Sequence, residues 1–176
     1  WTFDYAAGTL AVGGPGVADG EHTVALGFPL NADGLRSTHF PSIRATVDGE
    51  QLPFLLDTGA SIRPSAAAAE AIALAGADDG CGTSFIATSV FERWRKNHPD
   101  WVVVESADLN VNNEPIIRVP EMEIAGHTVG PVWFTRRADK NFHQFMSSMM
   151  DTKVEGALGG SLFRYFRMTI DYPAAR

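Results

Sequence analysis

Asp57 is the residue in this chain of 176 that is best placed to do chemistry. It ends the run Leu52-Pro-Phe-Leu-Leu-Asp-Thr-Gly-Ala-Ser61, after an apolar stretch and before Thr58 and Gly59. A carboxylate at the end of a buried strand is costly to desolvate unless it is paired or hydrogen-bonded. Thr58 supplies a hydroxyl. Gly59, with no Cβ, lets a second backbone or carboxylate come close. A carboxylate held in this way is a candidate acid or base acting on a bound water. The competing reading is a strand that ends in an ordinary turn, because Asp and Gly are turn residues. Asp-Thr-Gly alone recurs by chance in roughly a few per cent of chains this long, so the neighbouring elements must decide.

Those elements are legible in part. Residues 42–47 alternate with period two, Asp48-Gly49 is a hairpin turn, and 52–56 return, which delivers Asp57 to a strand end. Residues 1–12 read as a strand pair or an arm, and 22–30 as a strand. Turn chemistry marks 13–16 and 18–20. Pro64-Ser65 before an alanine-rich stretch predicts a helix over 66–74, followed by a loop over 76–82. Its small side chains predict weak docking. Ser89 is a candidate cap for a helix that carries Val90, Phe91 and Trp94 on one face. Strands are expected at 101–104, 116–119 and 122–124. A helix is expected over 141–150, where Phe142, Phe145, Met146 and Met149 fall at i, i+3, i+4 and i+7.

A second segment makes the pattern more specific: Val154-Glu-Gly-Ala-Leu-Gly-Gly-Ser-Leu-Phe-Arg-Tyr-Phe-Arg-Met-Thr-Ile-Asp-Tyr-Pro173. Between the two lies Glu123-Ile-Ala-Gly-His-Thr-Val-Gly-Pro-Val-Trp-Phe134. Together these resemble the retropepsin-like aspartic proteases, single-lobed enzymes that build one active site from two chains. The resemblance covers about residues 42–61 and 84–173. It implies a mainly β fold: a retropepsin-like, single-lobe closed β-barrel with a few short helices, including two helical insertions at 62–83 and 135–153. One domain spans 1–176, with 1–40 as N-terminal strands or an arm that the resemblance covers poorly.

By the same resemblance Asp57 is catalytic, with Thr58, Gly59 and Ala60 as its support. Ala157, Leu158 and Gly159 fill the apolar-apolar-glycine slot, 162–166 form a short helix and 167–172 a last strand. The polar segment 105–115, with Asn110, Val111, Asn112 and Asn113, stands where the family has its flap. Family flaps carry glycine at the tip. Here asparagine takes that place, a residue that tolerates the left-handed region. The implied activity is aspartic-type endopeptidase. Two carboxylates across one water share a proton, because like charges so close do not both ionise easily. The chain has one Asp-Thr-Gly, so the second carboxylate is expected from Asp57 of a partner in a homodimer. The substrate is protein or peptide, bound extended. The alternative is a non-catalytic or autoinhibited peptide-binding module of the same fold.

Composition narrows the remaining classes. A net charge of −7 argues against nucleic-acid partners. The short basic clusters, Arg93 with Arg95 and Lys96, and Arg136 with Arg137, are expected on solvated faces. One cysteine, Cys81, excludes an internal disulfide framework. The chain opens at Trp1 with no signal peptide and no membrane anchor visible, as expected of a mature or trimmed chain whose export signal or anchor has been removed. A periplasmic or cell-envelope location is favoured. Ser61 lacks a nucleophile elbow. Gly159-Gly160-Ser161 lacks the lysine of a phosphate loop. His143 with Met146, Met149 and Met150 could bind soft copper, but a methionine-bearing apolar helix face is core. No metal and no cofactor are expected.

Overall fold

Asp48 and Gly49 reverse the chain between Ser42–Val47 (β3) and Glu50–Leu56 (β4). Both take positive φ, 53° and 74°, which matches the right-handed twist of a two-residue hairpin. The register runs from Val47 opposite Glu50 to Ser42 opposite Leu55. The structure, a computed structural model, describes residues 1–14, 20, 22–73 and 80–176. The turns expected at 13–16 and 18–20, the end of the helix expected to reach 74 and most of the loop 76–82 therefore lie partly or wholly outside the described residues.

The fold is mainly β with few helices. Thr2–Asp4 (β1) pairs antiparallel with Thr9–Ala11 (β2) and with Arg167–Thr169 (β14). The main sheet adds to β3 and β4 the strands Ser84–Ala87 (β7), Val103–Asp108 (β8), Glu114–Val119 (β9), Met122–Ile124 (β10), His127–Val129 (β11), Val132–Arg137 (β12) and Gly156–Leu158 (β13). Its order is β11-β10-β3-β4-β13-β7-β12-β9-β8. Ser61–Ile62 (β5) and Cys81–Gly82 (β6) form a separate small pair. The expected closed barrel is not formed among the described residues, because β11 and β8 are the sheet's two ends. The outer edge of β8 is taken up by residues 63–65: Ser65 N–H donates to Ala107 O at 2.7 Å and Leu109 N–H to Arg63 O at 2.8 Å.

The helices are Ala66–Ile72 (α1), Thr88–Asn97 (α2) and Gly160–Phe163 (α3). Ser65 caps α1, its Oγ accepting from Ala68 N–H. Ser89 does not cap α2. The helix begins one residue earlier, and the Ser89 N–H instead donates to Asp139 Oδ1 at 2.8 Å, a cap supplied from fifty residues away. Helix α3 starts two residues before the expected 162, on the Gly159 carbonyl, which accepts from Leu162 and Phe163.

The helix expected over 141–150 is instead a π-helical turn, Lys140–Met146, followed by a 3₁₀ turn, Ser147–Met149. The wider turn breaks the i, i+3, i+4 face. Phe142 is buried, while Phe145 is 66% exposed. Ser147 donates to Phe142 O, five residues back, with both its backbone N–H and its Oγ. The strand expected at 22–30 reduces to bridges at Gly27–Ser42 and Leu30–Arg36. Pro29 has no N–H for a ladder, and Gly27 is packed so closely on Ser42 and Asp151 that no Cβ would fit. The last strand stops at Thr169, short of the expected 172.

One large core lies against the main sheet, with Phe54, Phe91, Trp94, Phe134 and Phe163 sealed from solvent. Each contributes about 1.5–3 kcal/mol or more by burial. A second cluster joins Ile62 and Ala68 to Ala107, Ile116 and Trp133. The segment read as a weakly docked insertion thus supplies core: Ala68 is fully buried in α1, and Ile62 is 1% exposed.

Candidate active site

Strand β4 carries Asp57 to the surface from between two partners, β3 on one side and β13, parallel, on the other. The parallel register sets Leu56 beside Leu158. Asp57 N–H then donates to Leu158 O at 2.9 Å. The chain turns at once: Ala60 N–H donates to Asp57 O at 3.3 Å. Gly59 N–H donates to Asp57 Oδ1 at 3.0 Å, so one carboxylate oxygen is held by the turn that follows it. Ala60 is buried, Asp57 is half-buried, and Thr58 and Gly59 are exposed.

Gly159 is what allows the two glycine segments to meet. A Cβ there would lie 2.2 Å from Thr83 O, 2.6 Å from Ala60 Cβ and 3.1 Å from Asp57 O. Below it, Gly82 and Gly160 face each other so closely that a Cβ on Gly82 would be 3.0 Å from Gly160 Cα. Thr83 N–H donates to Ala60 O at 3.0 Å, tying the Asp57 turn to the segment that leads into β7. Gly59 differs. A Cβ on it would sit 3.5 Å from Asp57 Oδ1, an ordinary contact. Nothing within the described chain requires glycine at 59.

Sequence reasoning missed a set of buried hydroxyls beneath this crossing. Gly159 N–H donates to Ser84 Oγ at 3.1 Å, and Ser161 Oγ donates to Trp133 O at 2.8 Å. The 2.9 Å contact between the two serine oxygens is therefore donated by Ser84, since the Ser161 proton is already committed to a carbonyl. By the same logic Thr83 Oγ1 donates to Ser84 O and receives from Thr135 Oγ1 at 2.9 Å. All four are buried. The one local sign is that Ser84 and Ser161 each lie one or two positions after a glycine pressed into the crossing.

The structure brings Asp57, Gly59 and Ala60 together with Leu158 and Gly159 through these bonds and packing contacts. The described hydrogen bonds of residues 110–113 stay within the hairpin. Asn110 N–H donates to Asp108 Oδ1 at 3.0 Å, and Glu114 N–H to Val111 O at 3.0 Å. Asn112 and Asn113 take φ of 48° and 54°. Of the two arginines expected on a solvated face, Arg136 is half-buried and Arg137 is buried. Arg137 is 8% exposed, and its Nη2 lies 2.6 Å from Asp108 Oδ2. His143 Nε2 lies 2.6 Å from Glu155 Oε2.

Cavities of about 200, 820 and 410 Å³ open elsewhere, and none of the three is lined by Asp57, Thr58 or Gly59. Asp57 is backed by hydrogen bonds from its own turn and from β13 and is half-buried.

Neither the family models nor the curated proteins compared with this chain match it. Among solved structures it is similar to a retropepsin-like aspartic protease from Rickettsia conorii, at 16% identity over 84% of this chain and 83% of that one, with a TM-score of 0.46.

Proposed function

We propose that this chain is an aspartic-type endopeptidase that works as a homodimer. Asp57 of each copy meets across a two-fold axis, and the pair shares one proton over a bound water. One carboxylate takes a proton from the water as it attacks the scissile carbonyl, and the other, protonated, donates to the carbonyl oxygen. Thr58 joins the two copies through its hydroxyl, and Ala157-Leu158-Gly159 hold the turn from behind. The peptide lies extended, with the β8–β9 hairpin as its flap.

The observation that carries this reading is the contrast within one turn. Asp57 is backed by two backbone bonds and a glycine with no room for a side chain, yet Thr58 and Gly59 are exposed, with nothing among the described residues that fixes their identity. Residue types that a single chain does not need, beside a carboxylate it holds firmly, are what a facing copy would use.

The test joins activity to mass. Asp57→Asn keeps shape and removes the ionisable group, so hydrolysis of a peptide library should fall by about 10²–10⁴-fold with an unchanged circular dichroism spectrum. Wild-type specific activity should fall on dilution, in step with dimer dissociation followed by sedimentation. Equal activity of the variant, or constant activity from a monomeric sample, would refute the proposal. A folded dimer with no activity would point to the binding module instead.

A further inference from the structure

The hairpin formed by β8 and β9 ends in one last rung, Asp108 opposite Glu114. Beyond it lie only the tip residues 109–113. Each carboxylate of that rung is gripped by one of two consecutive arginines at the end of β12. Arg137 Nη2 lies 2.6 Å from Asp108 Oδ2. Arg136 Nε lies 2.7 Å from Glu114 Oε2, and its Nη1 lies 3.0 Å from Glu92 Oε1 on α2. The two consecutive arginines therefore hold both strands of the hairpin base, Arg137 on β8 and Arg136 on β9.

The Arg137 side is sealed. Asp108 is fully buried and the Arg137 side chain is 10% exposed. The guanidinium lies 4.3 Å over the Phe85 ring, and its Nη1 donates to Arg136 O. The remaining Asp108 oxygen, Oδ1, accepts from Asn110 N–H. The same rung is stitched to the strand that leaves the Asp57 turn: Pro64 bridges Asp108, and Leu109 and Ser65 exchange bonds with Arg63 and Ala107.

We propose that Arg136 and Arg137 are positioning residues that clamp the base of the hairpin to β12 and so keep its outer edge paired with residues 63–65, so that the base moves as one body with the Asp57 turn and only the five-residue tip is free to close on a ligand. A flap hinged at its base would have nothing to gain from a desolvated ion pair there. A buried charge pair is costly to make and costlier to break from one side, which suits a joint that must keep a single register. The exposed side chains of Leu109 and Val111 are then the parts of the hairpin that meet an occupant.

Backbone hydrogen exchange of the full chain tests this without reference to hydrolysis, so the clamp and the catalytic reading fail separately. In the wild type, Ser65 and Leu109 should exchange through one shared opening, with protection equal within about threefold and the same response to denaturant. Arg137→Gln should raise exchange at Leu109 and Asn110 by about 10²-fold or more, while the Asp57 amide, bonded to Leu158, keeps its protection. Arg136→Gln should give a smaller rise confined to residues 111–114. Glu105→Gln serves as the control: it removes the exposed Arg95 partner on the same hairpin and should change nothing. If Arg137→Gln does not fold, the wild-type comparison decides. Leu109 exchanging a hundredfold faster than Ser65 would mean an independent flap, as would a change under threefold in a folded Arg137→Gln.

Discussion

Gly159→Ala places one methyl group where three backbone segments meet, and the structure sets its cost. The φ of Gly159 is −142°, open to any residue, so backbone strain is not the obstacle. Space is. The new carbon would lie 2.2 Å from Thr83 O and 2.6 Å from Ala60 Cβ, where non-bonded carbons rest at about 3.5 Å or more. Something must move by about 1 Å. Neither neighbour is the free end of a flexible side chain. Thr83 is bonded through its N–H to Ala60 O, and Gly159 through its N–H to Ser84 Oγ. Overpacking of a well-packed site costs about 1–3 kcal/mol, and two strained hydrogen bonds add about 1 kcal/mol each. The sum, about 3–5 kcal/mol, corresponds to a fall in melting temperature of roughly 6–20 °C for a chain this size. Urea unfolding followed by circular dichroism gives the number. Gly59→Ala is the internal contrast, with a Cβ at an ordinary 3.5 Å contact. It should cost under about 0.5 kcal/mol in the monomer and yet reduce dimerisation and hydrolysis. A Gly159→Ala protein within 1 kcal/mol of wild type would show that the crossing is looser than these distances imply, and the backing of Asp57 with it.

Ser84→Ala should cost about 1–3 kcal/mol by urea unfolding, because it leaves the buried Gly159 N–H without its acceptor; Ser61→Ala, at an exposed position, should stay within about 0.5 kcal/mol. Burial, and then the charge of Asp108, push the Cys81 thiol above its ordinary range. A raised thiol pKa means less thiolate at a given pH, so alkylation by iodoacetamide at pH 8 should be slow in the folded protein and rise sharply in urea. The same sign makes the thiol's contribution to stability complete below its unfolded pKa and lost as pH rises above it.

What could be read from the sequence was local. The β3–β4 hairpin follows from period-two alternation around Asp48-Gly49, and α1 from Ser65 before an alanine run; each signal lies within a few residues of the structure it specifies. The Asp57 turn and the Ala157-Leu158-Gly159 segment were recognisable together and not singly; of their glycines Gly159 stands where backbones cross, while Gly59 has room for a Cβ. Features that needed distant pairing were not legible. Ser84 and Ser161 are 77 residues apart, and Arg137 and Asp108 are 29 apart. Neither pair has a spacing that marks it, and two adjacent arginines read from sequence as solvated charge until β12 and β9 are placed side by side. The π-helical turn at 140–146 shows the same limit from the other direction: its apolar spacing fitted an α-helix, but the turn is wider, Ser147 bonding five residues back to Phe142 O, and the face was lost.

The misreading of 62–83 has the most consequence for function. A break in a familiar pattern invites the inference that the extra residues are an ornament. Here Ile62 and Ala68 are buried with Ala107, Ile116 and Trp133, and residues 63–65 pair with the edge of β8. An exposed edge strand is open to pairing with other chains, so a segment that covers the edge protects the monomer as well as seating the hairpin. The same stretch that leaves Asp57 therefore covers the β8 edge, contributes to the second core and meets the Arg137 joint. A perturbation of the backbone along 63–65 should be felt at the hairpin, to which it is hydrogen-bonded, and at the Asp57 turn, with which it is continuous.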